Sequence, residues 1–243
     1  MAEVKPSPVE RDVLVLIPTF NDHAMLAGLV RGVAALPGSN RVLLVDDGSH
    51  QPVDVAALGQ GVLHAHLPDN FGLGACTQIA FDHVANAGYR FVVRIDGDGQ
   101  HAVEDIPLLL APLRAGQADL VVGCRVNHNT GGAGGLLRAL IKRYFAFTAR
   151  LMTSGRAPSD VNTGFFAATS AAAQVLNRFT FERYPEPQMF VLACRVGLRV
   201  REVQIEQRER EFGRSSIGAL SAARMWYRFT VFVLAELLRG PRT

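Results

Sequence analysis

Short apolar runs alternate with longer segments of helical spacing along the first half of the chain. Residues 13–17 form the first run, and apolar positions then recur three and four residues apart over residues 24–35. The runs are rich in β-branched residues and most are followed by Pro or Asp, which predicts strands joined by crossover helices. The same pattern predicts four further strands, at residues 41–45, 62–67, 91–95 and 119–123. The alternation therefore predicts an α/β fold, with a mostly parallel sheet flanked by helices.

The second half of the chain changes character after a Gly-rich stretch at residues 131–135, which indicates a hinge. Helical patterns cover residues 136–152 and 217–238, and both mix Lys or Arg with large apolar residues. Such amphipathic helices are typical of membrane surfaces, but the same residues also suit a packed core or a dimer face. Between these two helices, the pattern predicts strands at residues 165–168 and 200–205 and a helix at residues 186–196.

Composition restricts the class of protein without identifying it. The 243 residues are 49% hydrophobic and 19% charged, which indicates a folded chain and not a disordered one. The net charge of +3 is too small to indicate nucleic-acid binding, although the pI near 9.0 slightly favours anionic partners. Three cysteines without metal-ligand spacing favour a reducing compartment, and the polar N-terminal segment favours a cytoplasmic location. No apolar run is long enough to span a bilayer.

The segment Asp96-Gly97-Asp98-Gly99-Gln100 follows a predicted strand and carries the clearest chemical signal. Two carboxylates this close repel each other, so a bound cation is a natural reason for them. Their hard oxygen atoms suit Mg²⁺ or Mn²⁺, which can also bridge to substrate phosphates. The alternative is an Asp-Gly turn with solvated carboxylates, and the segment alone does not decide between the two.

Two further loops follow predicted strands and carry polar or glycine residues. Asp46, Asp47 and Ser49 can accept hydrogen bonds from a ribose or a base, or they can form a turn in which Ser49 caps a helix. Gly72 and Gly74 precede a helical pattern, where backbone N–H groups can bind phosphate or the chain can pack closely. The third glycine of the dinucleotide-binding fingerprint is missing, which argues against a nicotinamide enzyme. Loops after parallel strands converge at one sheet edge, so we expect a single site.

A basic segment before the last helix contains Arg208, Arg210 and Arg214. Forked guanidinium donors can bind a phosphate, but the interleaved Glu residues also suit a salt-bridged surface loop. Asp160 precedes Asn162-Thr163-Gly164, where it can act as a general base or cap a turn. The spacings of His and Ser match neither a zinc protease nor a serine hydrolase, which excludes both classes.

Taken in chain order, these segments resemble family 2 glycosyltransferases, and within that family the dolichol-phosphate mannose synthase and polyprenyl-phosphate sugar transferase branch. The matching segments, between about residues 12 and 216, are 18–22, 45–49, 70–74, 96–100, 123–125, 160–166 and 210–215. The resemblance implies a GT-A fold, a nucleotide-sugar donor, Mg²⁺ or Mn²⁺ as cofactor, and transfer with inversion at the anomeric carbon.

The resemblance also implies roles for individual residues. It places the nucleotide-sugar-binding residues at Pro18, Thr19, Phe20, Asp22, Asp46, Asp47, Ser49, Gly74, Asp96 and Gly97. The implied metal ligands are Asp96, Asp98 and Gln100, and the implied catalytic residues are Asp98, Arg125, Asp160 and Arg210. The acceptor phosphate is expected at Arg210, Arg214 and Ser215. Asp22, Gly97 and Ser216 stand where the family commonly has Glu, Ala and Lys, which leaves the donor open.

We therefore expect a metal-dependent inverting glycosyltransferase that moves a sugar from a UDP- or GDP-sugar to a polyprenyl or dolichyl phosphate. The alternatives are transfer to a soluble or protein-linked glycan, and a non-catalytic nucleotide-sugar-binding protein that partners a membrane protein. The expected organisation is a catalytic domain over residues 1–216 and an interfacial or oligomerisation helix over residues 217–243. The expected location is the cytosolic face of the membrane, as a peripheral protein, with a homo-oligomer left open.

Overall fold

The computed structural model of the protein describes residues 11–125, 135–206 and 219–240. The strands are β1 (Arg11–Thr19), β2 (Asn40–Asp46), β3 (Leu63–His66), β4 (Tyr89–Arg94), β5 (Leu120–Arg125), β6 (Phe166–Thr169) and β7 (Val200–Ile205). The α-helices are α1 (Leu26–Ala35), α2 (Leu73–Ala87), α3 (Ile106–Arg114), α4 (Gly135–Met152), α5 (Ser170–Leu176), α6 (Glu186–Arg195) and α7 (Ala219–Arg239). The strands form one sheet in the order β3-β2-β1-β4-β6-β5-β7.

One strand of this sheet runs against the others. β6 lies antiparallel between β4 and β5, whereas every other pair of neighbours is parallel. Phe166, the first residue of β6, lies opposite both Arg94 on β4 and Val122 on β5. The segment that leads into β6 therefore lies at the carboxyl ends of its two neighbours.

Helices cover both faces of the sheet, and the alternation of side chains along the strands divides the core in two. α2, α4, α5, α6 and α7 pack on the face that carries Leu14, Val92 and Phe166. The opposite face carries Val15 and Phe165 and is covered by α1 and α3. Because both faces are buried, the central strands have nearly continuous apolar sequences.

The strands predicted from the sequence are confirmed, with ends that differ by at most two residues. The four long helical patterns are confirmed as α1, α4, α6 and α7. The sequence analysis did not identify α3 or α5. Two prolines, Pro107 and Pro112, made the sequence of α3 unlike that of a typical helix. Pro107 lies in the first turn, where proline is well tolerated. α5 has only seven residues, too few for a clear period.

α4 and α7 pack together and leave an apolar outer surface. The ring centroids of Phe145 and Phe229 are 5.0 Å apart, and Tyr144 Oη lies 2.9 Å from Thr230 Oγ1. Exposed apolar side chains on the outer sides of these helices are Leu140, Phe147, Leu151, Trp226, Tyr227, Val231, Leu234, Leu237 and Leu238. Within the described residues, no helix is both long enough and apolar enough to cross a membrane. Each helix thus has one side in the core and one side exposed.

The three cysteines are buried and form no disulfide. Burial raises the pKa of the Cys76 thiol to about 12 and that of the Cys194 thiol to about 11. Burial, together with a hydrogen bond to Glu202, raises the pKa of Cys124 to about 12. Because the thiolate is the reactive form, these thiols are inert at neutral pH.

Gly123 lies where β5 meets the entry to β6, and it has no room for a side chain. A Cβ at this position would lie 2.7 Å from Phe165 Cδ1 and 3.1 Å from Ile205 Cδ1. We expect Gly123→Ala to lower the free energy of unfolding by about 1–3 kcal/mol, because the added methyl group overpacks the core. Urea unfolding monitored by circular dichroism measures this change.

Gly28→Ala is the matched control for this prediction. Gly28 lies on the exposed side of α1, and a Cβ there would meet nothing within 4 Å. Because alanine is favoured over glycine in a helix, we expect Gly28→Ala to raise the free energy of unfolding by about 0.5–1 kcal/mol. Equal effects of the two substitutions would contradict the packing described at Gly123.

Candidate active site

The carboxyl ends of β1, β2 and β4 bring most of the predicted site residues together. Thr19 at the end of β1 lies opposite Asp46 at the end of β2, and the Asp47 N–H donates to the Thr19 carbonyl at 2.9 Å. A Cβ at Gly97 would lie 3.1 Å from the Pro18 carbonyl oxygen, so the turn after β4 touches the end of β1. These residues form one continuous edge, as expected for loops that follow parallel strands.

Asp46 is fully buried and fixes the loop after β2. Its carboxylate accepts a hydrogen bond from the Ser49 N–H at 3.0 Å and lies 3.1 Å from His66 Nδ1. Burial pushes the pKa of Asp46 upward, but the hydrogen bonds from Ser49 and His66 outweigh it and lower the pKa below its usual value. Asp46 is therefore an ionised residue that organises the pocket wall.

Asp47 fixes the start of α2. Its carboxylate accepts hydrogen bonds from the N–H groups of Phe71 and Gly72, each at 2.8 Å. Burial raises the pKa of Asp47 in spite of these hydrogen bonds. Gly74 lies in the first turn of α2, where a Cβ would clash with the Glu182 carbonyl oxygen. Close packing, one of the two alternatives for Gly74, therefore explains this glycine.

The loop after β1 is tied to the loop after β2. The Thr19 hydroxyl donates to the Asp22 carbonyl at 2.6 Å, and the Asn21 N–H donates to Ser49 Oγ at 2.8 Å. Asn21 has a φ of 52°, in the left-handed region that Asn tolerates better than most residues. Phe20 precedes this turn and is 43% exposed, so one part of its ring faces solvent.

Asp96 pairs with Arg94 and packs closely against Gly164. Arg94 is fully buried, and its Nη2 donates to Asp96 Oδ1 at 2.9 Å while its Nη1 donates to Glu186 Oε1 at 2.8 Å. A Cβ at Gly164 would clash with both carboxylate oxygens of Asp96, so this glycine allows the carboxylate to pack closely against the backbone. Burial alone would lower the pKa of Arg94, but the two carboxylates raise it, so the guanidinium stays charged. Burial raises the pKa of Glu186, and the charge of Arg94 opposes that rise.

The rest of the turn after β4 is fixed by a hydrogen bond within the turn and by the packing of His101. The Gln100 N–H donates to Asp98 Oδ1 at 3.1 Å, and Gly99 has a φ of 73° that favours glycine. The buried His101 ring stacks on Phe165 at a centroid distance of 4.9 Å. Burial lowers the pKa of His101, which keeps this imidazole neutral at pH 7.

The donor set at this turn fits a hard divalent cation. Asp96, Asp98 and Gln100 offer two carboxylates and an amide oxygen, and all three are partly exposed. In the part of the chain that the structure describes, no three His, Cys, Asp or Glu side chains gather into a metal cluster. Substrate oxygens or water would therefore complete the shell. Magnesium is commonly held in this way, by one or two carboxylates together with substrate phosphates.

A second charged pair lies at the ends of β5 and the segment before β6. Arg125 Nε and Nη2 each lie 2.7 Å from Asp160 Oδ2, and Asp160 is buried. The Asn162 N–H donates to Asp160 Oδ1 at 3.2 Å. Beside them, Glu202 accepts a hydrogen bond from the Ser159 N–H at 2.8 Å. Asp160 therefore caps its own turn, as one alternative predicted, and also orients Arg125.

A cleft of about 240 Å³ opens between α7 and the segment that leads into α6. Its apolar wall consists of Phe145, Met225, Phe229 and Phe232, and its polar wall includes Glu182, Arg183, Arg224 and Arg228. Arg183 Nη1 donates to the Asn70 carbonyl at 2.8 Å, in the loop whose N–H groups bind Asp47. The cleft therefore adjoins the edge that carries the predicted site.

Some predicted residues lie outside the described residues: Arg208, Arg210, Arg214, Ser215 and Ser216. The strand before them, β7, ends at Ile205 opposite Arg125, so the chain leaves the sheet at the site edge.

Sequence analysis missed Arg94, Glu186 and Arg183. The signal for Arg94 was a charged residue inside an apolar strand, because such a residue must find buried partners. Glu186 had no such signal, since an acidic residue in the first turn of a helix is ordinary.

Comparison with known proteins gives matches over most of the chain. The family model for Glycosyl transferase family 2 matches residues 14–174. The chain is 31% identical over 221 residues to the undecaprenyl-phosphate mannosyltransferase of Micrococcus luteus, a match that covers 84% of this chain and 87% of the relative. It is 36% identical over 126 residues to the polyprenol monophosphomannose synthase of Mycolicibacterium smegmatis, which covers 49% of this chain and 46% of that relative.

Solved structures share the fold at low sequence identity. Glucosyl-3-phosphoglycerate synthase from Mycobacterium tuberculosis, in complex with Mn²⁺, UDP and phosphoglyceric acid, matches with a TM-score of 0.71 at 18% identity over 96% of this chain and 80% of that chain. The same enzyme with Mg²⁺ and UDP gives a TM-score of 0.70 at 19% identity, over 92% and 79% of the two chains. The expected GT-A fold is confirmed.

The buried carboxylate of Asp46 makes a pH-dependent contribution to stability. Because its pKa is lower in the folded protein than in the unfolded chain, the carboxylate stabilises the fold above the unfolded pKa, and this stabilisation is lost as pH falls through the folded pKa. We expect Asp46→Asn to lower the free energy of unfolding by about 1–3 kcal/mol near neutral pH. The difference in the free energy of unfolding between the wild type and Asp46→Asn should become smaller in acid. Urea unfolding at about pH 7 and about pH 3 measures this difference.

Asp82→Asn on the exposed side of α2 is the control, because it makes the same change of side chain at the surface. We expect Asp82→Asn to change the free energy of unfolding by no more than about 0.5 kcal/mol at either pH. An Asp46→Asn deficit that stays constant with pH would contradict the ionised role of Asp46.

Proposed function

The chain belongs to glycosyl transferase family 2 and is a glycosyltransferase, and on this premise we propose that it transfers a sugar from a nucleotide sugar to a polyprenyl phosphate, with inversion at the anomeric carbon. The observation that carries the proposal is the meeting of the Asp96–Asp98 turn and the Arg125–Asp160 pair at one sheet edge, on either side of the segment before β6. Carboxylates suit a cation with its diphosphate, and a guanidinium suits an anionic acceptor. One relative is named an undecaprenyl-phosphate mannosyltransferase and another a polyprenol monophosphomannose synthase, and both names support this acceptor class.

The nucleotide of the donor would lie across the ends of β1, β2 and β4. The exposed part of the Phe20 ring offers a surface for a base, and Asp22 lies in the same partly exposed loop. Asp46 and Asp47 already bind protein groups, so their contribution is to shape the pocket and to fix the loops around it. Pro18 and Gly97 would form the floor between the nucleotide and the sheet.

Asp96, Asp98 and Gln100 would hold Mg²⁺ or Mn²⁺. When bound, such a cation neutralises the diphosphate and makes it a better leaving group. The solved neighbours that contain Mn²⁺ or Mg²⁺ with UDP share only the fold, and they support a divalent cation of this kind.

Transfer to a phosphate acceptor requires little from a general base. A phosphate monoester is largely ionised near neutral pH, so one of its oxygens can attack the anomeric carbon without losing a proton. The new carbon–oxygen bond forms as the bond from the anomeric carbon to the diphosphate breaks. Asp160 is buried against Arg125, which suits orientation of the guanidinium toward the acceptor and not removal of a proton. Catalysis then depends on positioning and charge.

The lipid part of the acceptor would enter by the cleft beside α7. Phe229, Phe232 and Met225 offer an apolar wall, and Arg183 and Arg224 add positive charge. From this cleft, exposed apolar side chains continue along α4 and α7, so a polyprenyl chain could pass from a bilayer to the site without crossing open water. Arg210, Arg214 and Ser215 remain predicted contacts of its phosphate.

A transfer assay tests the proposed reaction. The purified chain receives undecaprenyl phosphate in detergent, radiolabelled UDP-glucose, UDP-N-acetylglucosamine or GDP-mannose, and Mn²⁺, Mg²⁺ or a chelator. We expect radiolabel in the organic phase with the sugars of one nucleotide class, and only when the cation is present. Asp98→Asn should lower the transfer rate by at least about 100-fold. Asp82→Asn, with the same chemical change at the surface, should retain full activity.

The other outcomes separate the alternatives. Transfer to a soluble glycan with no lipid product would contradict the polyprenyl acceptor. Nucleotide binding without any transfer would favour a non-catalytic binding protein.

We also propose that the chain binds the membrane surface, on its cytosolic face, through the outer sides of α4 and α7. Phe147 and Leu151 are 69% and 70% exposed on α4, and Arg143 and Arg150 lie exposed on the same helix. Apolar side chains can enter the boundary of the acyl chains, while arginines bind anionic headgroups. Each arginine contributes about 1 kcal/mol to the free energy of membrane binding.

Flotation with liposomes tests this surface. We expect the wild-type chain to float with vesicles that contain anionic lipid, and Leu151→Gln to bind about tenfold more weakly, because burial of one leucine contributes more than 1.4 kcal/mol. Leu108→Gln on α3, on the opposite face of the sheet and 49% exposed, should float like wild type. Failure of the wild type to float with or without anionic lipid would contradict membrane binding and leave a dimer face to be tested by sedimentation.

A further inference from the structure

A charged residue stands at a place in the sheet where stability alone does not explain it. Arg94 lies on β4, a central strand, and is fully buried between two covered faces. Removing a charge from water is unfavourable, and replacing a buried ion pair by apolar residues is often neutral or stabilising. The role of Arg94 therefore lies in the groups that its guanidinium binds.

The guanidinium holds one carboxylate of the metal-binding turn and one from outside it. Nη2 donates to Asp96 Oδ1 at 2.9 Å, and Nη1 donates to Glu186 Oε1 at 2.8 Å. The remaining donor, Nε, is buried and has no hydrogen-bond partner within the described residues. The two terminal nitrogens of Arg94 are thus shared between two carboxylates, and no third acidic side chain of the described residues pairs with them.

Gly164 packs closely against the same carboxylate. A Cβ there would lie 2.4 Å from Asp96 Oδ2 and 2.7 Å from Oδ1. Asp96 is therefore bound by the guanidinium of Arg94 and packed against the backbone of Gly164, and both contacts restrict its rotation. Glu186 belongs to the segment that lines the cleft beside α7, since Pro187 and Gln188 follow it there.

Resting on the function proposed above, we propose that Arg94 and Glu186 are positioning residues for Asp96: Glu186 anchors and partly neutralises the Arg94 guanidinium, and Arg94 in turn fixes the orientation and charge of the carboxylate that receives the divalent cation. Without Glu186, Arg94 pairs with Asp96 alone, and Asp96 has less negative charge to offer a metal. The pair would thereby set the cation affinity of the diphosphate site from a position that touches neither the cation nor the donor.

Metal-dependent nucleotide binding tests this proposal without measuring turnover. Thermal shift is recorded at a fixed concentration of UDP or GDP, whichever stabilises the wild type, while Mn²⁺ is titrated. We expect Glu186→Gln to raise the half-saturating Mn²⁺ concentration about tenfold, the size typical when a residue behind a metal ligand is changed. Glu236→Gln is the matched control, because Glu236 on α7 is also buried and pairs with Arg195 on α6 at 3.3 Å. It should leave the Mn²⁺ requirement unchanged.

Two further variants distinguish positioning from a loss of fold. Glu186→Asp keeps the charge and should recover most of the cation affinity, whereas Arg94→Lys keeps the positive charge but loses the fork and should bind Mn²⁺ more weakly than wild type. Gly164→Ala displaces Asp96 without changing Arg94 or Glu186. It should therefore also raise the half-saturating Mn²⁺ concentration. If Glu186→Gln fails to fold, Arg94→Lys decides the question by the same titration.

The possible failures are separable. If the wild type shows no Mn²⁺-dependent stabilisation by any nucleotide, the proposed function fails. If the wild type responds and Glu186→Gln responds at the same Mn²⁺ concentration, this inference alone is overturned. A lower melting temperature of Glu186→Gln without nucleotide, together with an unchanged Mn²⁺ requirement, would assign Glu186 a structural role only and would also overturn it.

Discussion

The reversed direction of β6 is the constraint on which the candidate site depends. A parallel strand in that position would deliver its preceding segment to the amino ends of β4 and β5, far from every polar loop. Because β6 is antiparallel, residues 160–165 arrive at the carboxyl ends, where Gly164 meets Asp96 and Asp160 meets Arg125. The negative and the positive parts of the site are both organised by this one strand.

Much of the fold followed from the sequence, because each central strand is buried on both faces and ends in a turn residue. The direction of β6 did not, since an apolar run of four residues carries no information about its neighbours. The short α5 and the proline-containing α3 were missed for related reasons: one is too brief for a period, and the other has two prolines within nine residues.

The candidate site was predictable where its residues follow strands in a recognisable order, as at Asp46, Asp47, Asp96 and Asp98. What each carboxylate binds was not predictable. Asp47 accepts from the backbone of residues 71 and 72, and Asp160 binds Arg125, contacts that arise only when distant loops pack together. Glu186 lies 92 residues from its partner Arg94, and no local pattern links two such positions. Tertiary pairing, and not local propensity, decides these roles.

The inert cysteines have a practical consequence for spectroscopy. With Cys76, Cys124 and Cys194 buried and protonated, thiol-reactive labels should leave the native chain unmodified. A single cysteine introduced on the outer side of α4 or α7 would then carry a fluorophore or spin label in an otherwise wild-type background. The immersion depth and distance of that label could be followed during turnover without first constructing a cysteine-free protein.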